Sequence, residues 1–464
     1  MKINFYHNNQ SNLTKKAISI IKNFIENEGF VLNDNKDISV YLGLNNDNII
    51  QKSIREYALS ICDVEQGYTV RAGKGEDGMD VVICAKDEQG ILYGAVDFCN
   101  KYLGRYMWRA GHNDIMKSDF FQKVNSENLP EWRTTSFPSI PRRAIWTWGH
   151  VVYDYKRFID NMVMLKLNEL VLWNDHVPLN ASEIVDYAHK NGIKVIWGYA
   201  WGWDVDCAQN DITDEYLRKV QESVISKYVN DYKNKGDGIY FQSFTELHVE
   251  EINGKCIASV VTDFVNDTSR KLLEITPDLE IQFGLHATSV KNHLDSFTKL
   301  DSRVRIVWED CGSFPYSYDP FDIDSFDSAM LFTDKLLSLR ENERFGAVLK
   351  GQTNLDWRSF SHLNKSDRIG ECDIEFIKDR ASQKAKLWKV IQSYWVQNGD
   401  VARKLIQKIA TNKHAVVEML VEDGCFEYNI NPSTALCAEY AWNPNRSHEE
   451  ILGEVSAYPC VKSN

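Results

Sequence analysis

With 464 residues the chain exceeds one ordinary domain and suits a barrel of roughly 250 to 330 residues joined to a smaller module. Its 43% hydrophobic and 26% charged residues are those of a globular protein, and no run approaches the ~18 consecutive apolar residues of a membrane span. A net charge of −13 argues against a nucleic acid or an anionic membrane as partner, since either demands a basic face, and leaves a neutral or locally recognised small substrate.

The opening MKINFYHNNQSNLTKK has no apolar segment followed by a small-residue cleavage site. Ten cysteines stand singly, without CxxC pairs or the density of a disulfide scaffold. A reduced cytoplasm is the expected location, no cofactor is called for, and a homodimer stays open.

Residues 1–125 read as a compact α/β unit, with a helix near 14–28, strands near 38–43, 67–73 and 80–85, and a helix at 90–103 whose apolar residues recur at helical spacing. The polar stretch 126–141, holding Pro130, Pro138 and Pro141, reads as a linker. From 142 to 464 short apolar strands alternate with longer amphipathic helices, the mark of parallel βαβ units. Strands are expected at 143–148, 169–173, 194–199, 238–243, 279–285, 304–308 and 346–351, with an eighth near 434–440 (TALCAEY). Helices are expected at 154–167, 181–191, 212–234, 257–275, 324–340 and 374–398. An open doubly wound sheet would bring a glycine-rich phosphate turn after its first strand, and the sequence has no GxGxxG or GxxxxGK[ST]. The expected fold is therefore a (β/α)8 TIM barrel preceded by a small α/β domain.

Reactive groups of such barrels sit at the C-terminal ends of the strands, where the loops converge. Strand one ends in Trp146, Trp148 and His150, strand two in Trp173, Asn174, Asp175 and His176. Strand three leads to Tyr199, Trp201 and Trp203, strand four to Thr245, Glu246 and His248, and strand five to His286. Strand six brings Trp308, Glu309 and Asp310, strand seven Asn354, Asp356 and Trp357, and the last strand Tyr440, Trp442 and Asn443. Most of the 13 tryptophans fall in these short segments. Sugar rings present flat C–H faces that stack on aromatic planes and hydroxyls that need polar partners, so this mouth suits a saccharide. His150, His176, His248 and His286 lie on different strand ends with no HxH or HExxH spacing, so no metal site is expected.

Glycosidic cleavage needs an acid to protonate the leaving oxygen and a second carboxyl group as base or nucleophile. Glu246 follows the apolar run GIYFQSF, where partial burial would raise its pKa toward that of a general acid, and it is the first choice. Glu309 and Asp310 are the candidates for its partner, with Asp175 a third; strand alternation would turn only one of the adjacent pair into the mouth.

The segment DVVICAKDEQGILYGAVDFCNKYL (80–103) and the barrel entry PRRAIWTWGHVVYDYKRFIDNMVMLKLNELVLWND (141–175) resemble glycoside hydrolases of families 20, 67 and 84, in which a barrel follows an α/β domain like that of β-hexosaminidases and α-glucuronidases. The resemblance implies that an arginine at the start of strand one, Arg143 or alternatively Arg142, binds the terminal sugar. Families 20 and 84 carry adjacent acidic residues after strand four, whereas Thr245 precedes Glu246 here, which is more like the α-glucuronidases of family 67. There Arg143 or Lys350 would offer a cation to a uronate. The expectation is an exo-acting glycoside hydrolase on an oligosaccharide or glycoside, the alternatives being a retaining β-N-acetylhexosaminidase and a catalytically silent carbohydrate-binding barrel.

Overall fold

The computed structural model describes residues 1–27, 30–32, 34–104, 125–202, 212–247, 249–286, 290–309, 325–340, 343–352, 363–421 and 424–462, apart from the side chain of Glu246. The first five strands, β1 (Ile3–Tyr6), β2 (Asp37–Leu44), β3 (Tyr68–Lys74), β4 (Gly78–Ala85) and β5 (Trp132–Ser136), form one sheet in the order β1-β2-β4-β3-β5. β1, β2 and β4 run parallel, and β3 is antiparallel to β4 and β5. β4 is buried on both faces, which explains its apolar run VVICA. Val81 and Ile83 pack with Ala17, Ile21 and Ile91 of the helices Asn12–Asn27 and Glu88–Asp97, while Val82 and Cys84 pack with Ile50 and Ile54 of the helix Asn48–Tyr57. β5 lies inside the stretch expected to be a linker, where its alternation WRTTS, half-buried to exposed, suits an edge strand.

A closed barrel follows, made of β6 (Arg142–Trp148), β7 (Glu169–Trp173), β8 (Lys194–Gly198), β9 (Gly238–Gln242), β12 (Glu280–Leu285), β13 (Val304–Trp308), β14 (Phe345–Leu349) and β15 (Val416–Leu420), all neighbours parallel. A two-residue hairpin, β10 (Glu251–Ile252) and β11 (Lys255–Cys256), decorates the loop after β9. The seven earlier barrel strands form where the alternation predicts them. The eighth corrects the expectation, because TALCAEY lies within the helix Pro432–Trp442 and β15 is the shorter run VVEML. Alanine, leucine and glutamate behind a proline in the first turn favour the helix, and paired valines favour the strand.

Alternation divides the barrel residues into two sets. Ala144, Trp146, Trp148, Val171, Trp173, Ile196, Tyr240, Val307, Val348, Val416 and Leu420 fill the barrel interior as one cluster. Ile145, Leu170, Leu172, Val195, Trp197, Phe241, Ile306 and Val417 turn outward and join the core beneath the surrounding helices.

Candidate active site

Inward positions near the C-terminal ends of four strands meet around Glu309, the residue that follows β13. Tyr240 donates its hydroxyl to Oε1, and Gln242 Nε2 lies 2.8 and 2.7 Å from the two carboxylate oxygens. His286, beyond β12, places Nε2 3.0 Å from Oε2, and Lys350, beyond β14, places Nζ 3.6 Å from the same oxygen. Gly284 makes the convergence possible: a Cβ there would overlap Oε1 of Glu309 and lie 2.6 Å from the Tyr240 hydroxyl. Glu309 is only 3% exposed. Burial alone would raise its pKa, but His286, Lys350 and the Tyr240 hydrogen bond outweigh burial and hold it at about 2. This carboxylate is ionised, so it cannot serve as proton donor.

Beside it stands an aromatic wall. The rings of Trp146 and Trp148 meet edge to face at 4.8 Å, Trp146 and Trp173 stack at 6.1 Å, and Tyr240 meets both Trp146 (5.7 Å) and Trp173 (6.3 Å) edge-on. Gly198, the register partner of Trp173, leaves room for the indole, since a Cβ there would lie 2.6 Å from it. His150 is exposed just beyond, its ring 6.4 Å from that of Trp148. Asn174 Nδ2 donates to the His176 carbonyl at 2.6 Å, and the Asp175 carboxylate accepts the backbone N–H of Leu363 at 2.7 Å, which ties the loop after β7 to a later one. Thr245, fully buried, accepts from the His286 backbone N–H at 3.4 Å and so joins the end of strand four to that of strand five. Glu246 closes the 3-10 turn Phe244–Glu246 that follows β9.

The structure thus brings Trp146, Trp148, Trp173, His286, Glu309 and Lys350 together, with His150, Asn174 and Asp175 on the loops above. Asp310, Trp203, His248, Trp357 and the Glu246 side chain lie outside the described residues.

Seven sequence expectations are corrected. Arg143 points away from the mouth, fully buried at the junction with the front sheet: its guanidinium donates to the carbonyls of Lys166 (2.9 Å) and Ile140 (2.7 Å) and to Gln66 Oε1 (2.9 Å), and it lies over the rings of Tyr93 and Trp442. Its neighbour Arg142 points into the barrel, but at the N-terminal end, against Glu169 and Glu280. Tyr199, Trp201 and Trp308 face the helices: Tyr199 stacks on Tyr232, Trp201 on Phe241 at 3.6 Å, and Trp308 packs on Phe332. Tyr440 and Trp442 belong to the helix that replaces the expected eighth strand and Asn443 is its C-cap, Trp442 donating to Ser136 in the front sheet and Tyr440 meeting His448.

Tyr240 and Gln242 were missed by the sequence reading, although a signal exists. In GIYFQ every second residue faces the barrel interior, so a tyrosine and a glutamine share the buried inner face of a strand, where a polar side chain needs a dedicated partner. Among the described residues no group of three or more His, Cys, Asp or Glu side chains is arranged to hold a metal ion, and no helix is long and apolar enough to cross a membrane.

A closed eight-stranded parallel barrel with its candidate centre at the C-terminal strand ends, behind a small α/β sheet, is the architecture of a group of glycoside hydrolases. In particular, the chain is similar to a glycoside hydrolase family 20 β-N-acetylglucosaminidase, at 11% identity over 97% of this chain and 90% of that one, with a TM-score of 0.51. Further similar structures are the family 20 β-N-acetylhexosaminidase of Streptomyces coelicolor (11% identity, 98% and 90% covered, TM-score 0.48) and a family 89 glycoside hydrolase from Clostridium perfringens (10% identity, 97% and 51% covered, TM-score 0.47). No protein-family model matches the sequence, and no curated protein matches it. Likeness at this level of identity speaks for the fold, which is the two-domain layout that the resemblance implies.

Proposed function

We propose that the chain is an exo-acting glycoside hydrolase that removes a terminal sugar from an oligosaccharide or glycoside. One observation carries the reading: an aromatic wall of Trp146, Trp148, Trp173 and Tyr240 adjoins an ionised, hydrogen-bonded carboxylate at the mouth of a barrel fold shared with glycoside hydrolases. The wall offers planes to a sugar's C–H faces, and His286 and Lys350 offer donors to its hydroxyls. Glu246 is assigned as general acid from its place after strand four. Asp310, which follows strand six, is assigned as the base or nucleophile. The oxygens of Glu309 are already occupied by donors, so its role is to hold His286 and Lys350 in place.

A panel of aryl glycosides tests this, spanning neutral hexosides, uronides and N-acetylhexosaminides, the last because the similar structures are named for that activity. Turnover of at least one member by the wild type is the expected result. If no member is cleaved while an oligosaccharide still binds, the protein is a carbohydrate-binding barrel and the hydrolase reading fails.

A further inference from the structure

One side of the barrel rim is built from a segment that the proposed chemistry does not use. Between β14 and the helix Ile374–Asn398, residues 363–373 reach away from β14 and bind the loops after β6 and β7, two and three strands along the barrel. The Asp367 carbonyl accepts the backbone N–H of Leu179 at 3.0 Å, the Gly370 carbonyl accepts that of Tyr155 at 3.0 Å, and Cys372 donates its own N–H to the Tyr153 carbonyl at 2.8 Å. Arg368 adds an outer tie to Glu183 at 2.9 Å. Gly370 has φ +70°, and a Cβ there would lie 2.6 Å from the Tyr155 nitrogen, so this close docking requires glycine.

Asn180, 1% exposed, holds the segment from the other side. It occupies the N-cap position of the helix Ala181–Lys190, where an asparagine ordinarily accepts from its own helix, yet its side chain makes no such bond. The amide is turned to the segment instead. Nδ2 donates to the Ile369 carbonyl at 2.8 Å and to Glu371 Oε1 at 3.2 Å, and Oδ1 accepts the Ile369 N–H at 3.1 Å. The helix forgoes its side-chain cap, and both backbone groups of a buried residue are satisfied by one side chain.

The same segment touches the ends of the two strands that carry the wall. A Cβ on Gly149, the residue after Trp148, would lie 3.2 Å from Ile369 Cδ1 and 2.4 Å from Asn174 Oδ1, so Gly149, Asn174 and Ile369 are packed together. Leu363 donates its N–H to the Asp175 carboxylate at 2.7 Å, two residues beyond Trp173.

We infer that residues 363–373 form a fixed strap that closes the mouth behind Trp148 and Trp173, so that only the end of a saccharide chain fits, and that Asn180 is the residue that positions it. The inference rests on the glycosidase reading and supplies the cause of its exo action. Asn180→Ser tests it, because serine still offers the helix a cap but lacks the amide that holds Ile369. The substrates are the aryl glycoside that the panel identifies and its homologue with one further sugar at the non-reducing end. For the first, KM should rise about tenfold with kcat little changed, as when binding common to ground and transition states is lost. For the second, the ratio of intact disaccharide to single sugar released should rise at least about tenfold. Gly370→Ala, which disturbs the strap from its own side, should shift the products the same way. An unchanged product ratio in both variants overturns the inference.

Independently of turnover, backbone amides of 363–373 should exchange hydrogen at least about tenfold faster in Asn180→Ser than in wild type, while the helix Ala181–Lys190 keeps its rate. Equal exchange in the strap overturns the inference even when glycosides are cleaved. Were no glycoside cleaved by the wild type, the glycosidase reading alone would fall. The preference of wild type and variant for binding the shorter over the extended saccharide would then replace turnover, and an unchanged preference would overturn the role of Asn180.

Discussion

At the scale of single residues the centre depends on atoms that are not there. Gly284 has no catalytic group, yet its missing Cβ is what lets Tyr240 and Glu309 meet. Gly284→Ala should push the carboxylate aside by a fraction of an ångström to an ångström, a misplacement that costs about 10²-fold in kcat/KM, while overpacking costs about 1 to 3 kcal/mol of stability. A variant with full activity would show that Glu309 does not position the site. The acidic candidates were legible as residue types at strand ends, and Glu309 is brought into the centre beside three of the expected tryptophans. Its electrostatic state was not legible, because it depends on Tyr240, Gln242, His286 and Lys350, which lie on three other strands. Arg143 was misplaced for a similar reason. Position at a strand start does not say which way a side chain turns, and the even-numbered inward row of β6 sends Arg143 outward.

Between elements, the junction of the front sheet and the barrel is a buried ionic cluster. Lys166 Nζ lies 2.7 Å from Asp97 and 2.8 Å from Glu439, and Lys101 lies 2.9 Å from Asp97 and 3.0 Å from Glu454. Lys166→Met removes one cation and leaves buried carboxylates short of charge, so unfolding should cost about 3 to 5 kcal/mol less in the variant. Chemical denaturation checks this, and a loss below about 1 kcal/mol, the value of an exposed pair, would contradict the role. Barrel strands were legible because their β-branched and aromatic runs are bounded by polar turns. The last strand was not, because an alanine-rich helical segment carries as many apolar residues as VVEML.

For the whole molecule the buried acids predict opposite responses on the two sides of about pH 4.5. Glu439, buried, is held at about 2 by Lys101 and Lys166, and Glu309 at about 2 by His286 and Lys350. Both lie below the usual 4.5, so each contributes stability above about pH 4.5 that is lost as pH falls toward 2. Glu427 works the other way. Burial pushes it up to about 7 despite hydrogen bonds from the backbone N–H groups of Tyr153 and Asp154. The folded protein keeps a proton that the unfolded chain releases, so this group lowers stability as pH rises from 4.5 to about 7. Glu427→Gln should therefore gain about 3 kcal/mol at about pH 8, at about 1.4 kcal/mol per pH unit, and nothing near pH 4. Thermal unfolding across that range decides it, and a gain that does not change with pH would exclude titration of Glu427 as the cause.

The central claim, that this barrel mouth cleaves glycosidic bonds with Glu246 as proton donor, is tested most directly by the leaving-group dependence of Glu246→Gln. A general acid matters most when the departing group is a poor one. The account predicts a loss in kcat/KM of about 10² to 10⁴-fold for an alkyl or sugar leaving group and a much smaller loss for a strongly acidic phenol, which leaves without protonation. An equal loss for both, or no loss for either, would contradict it.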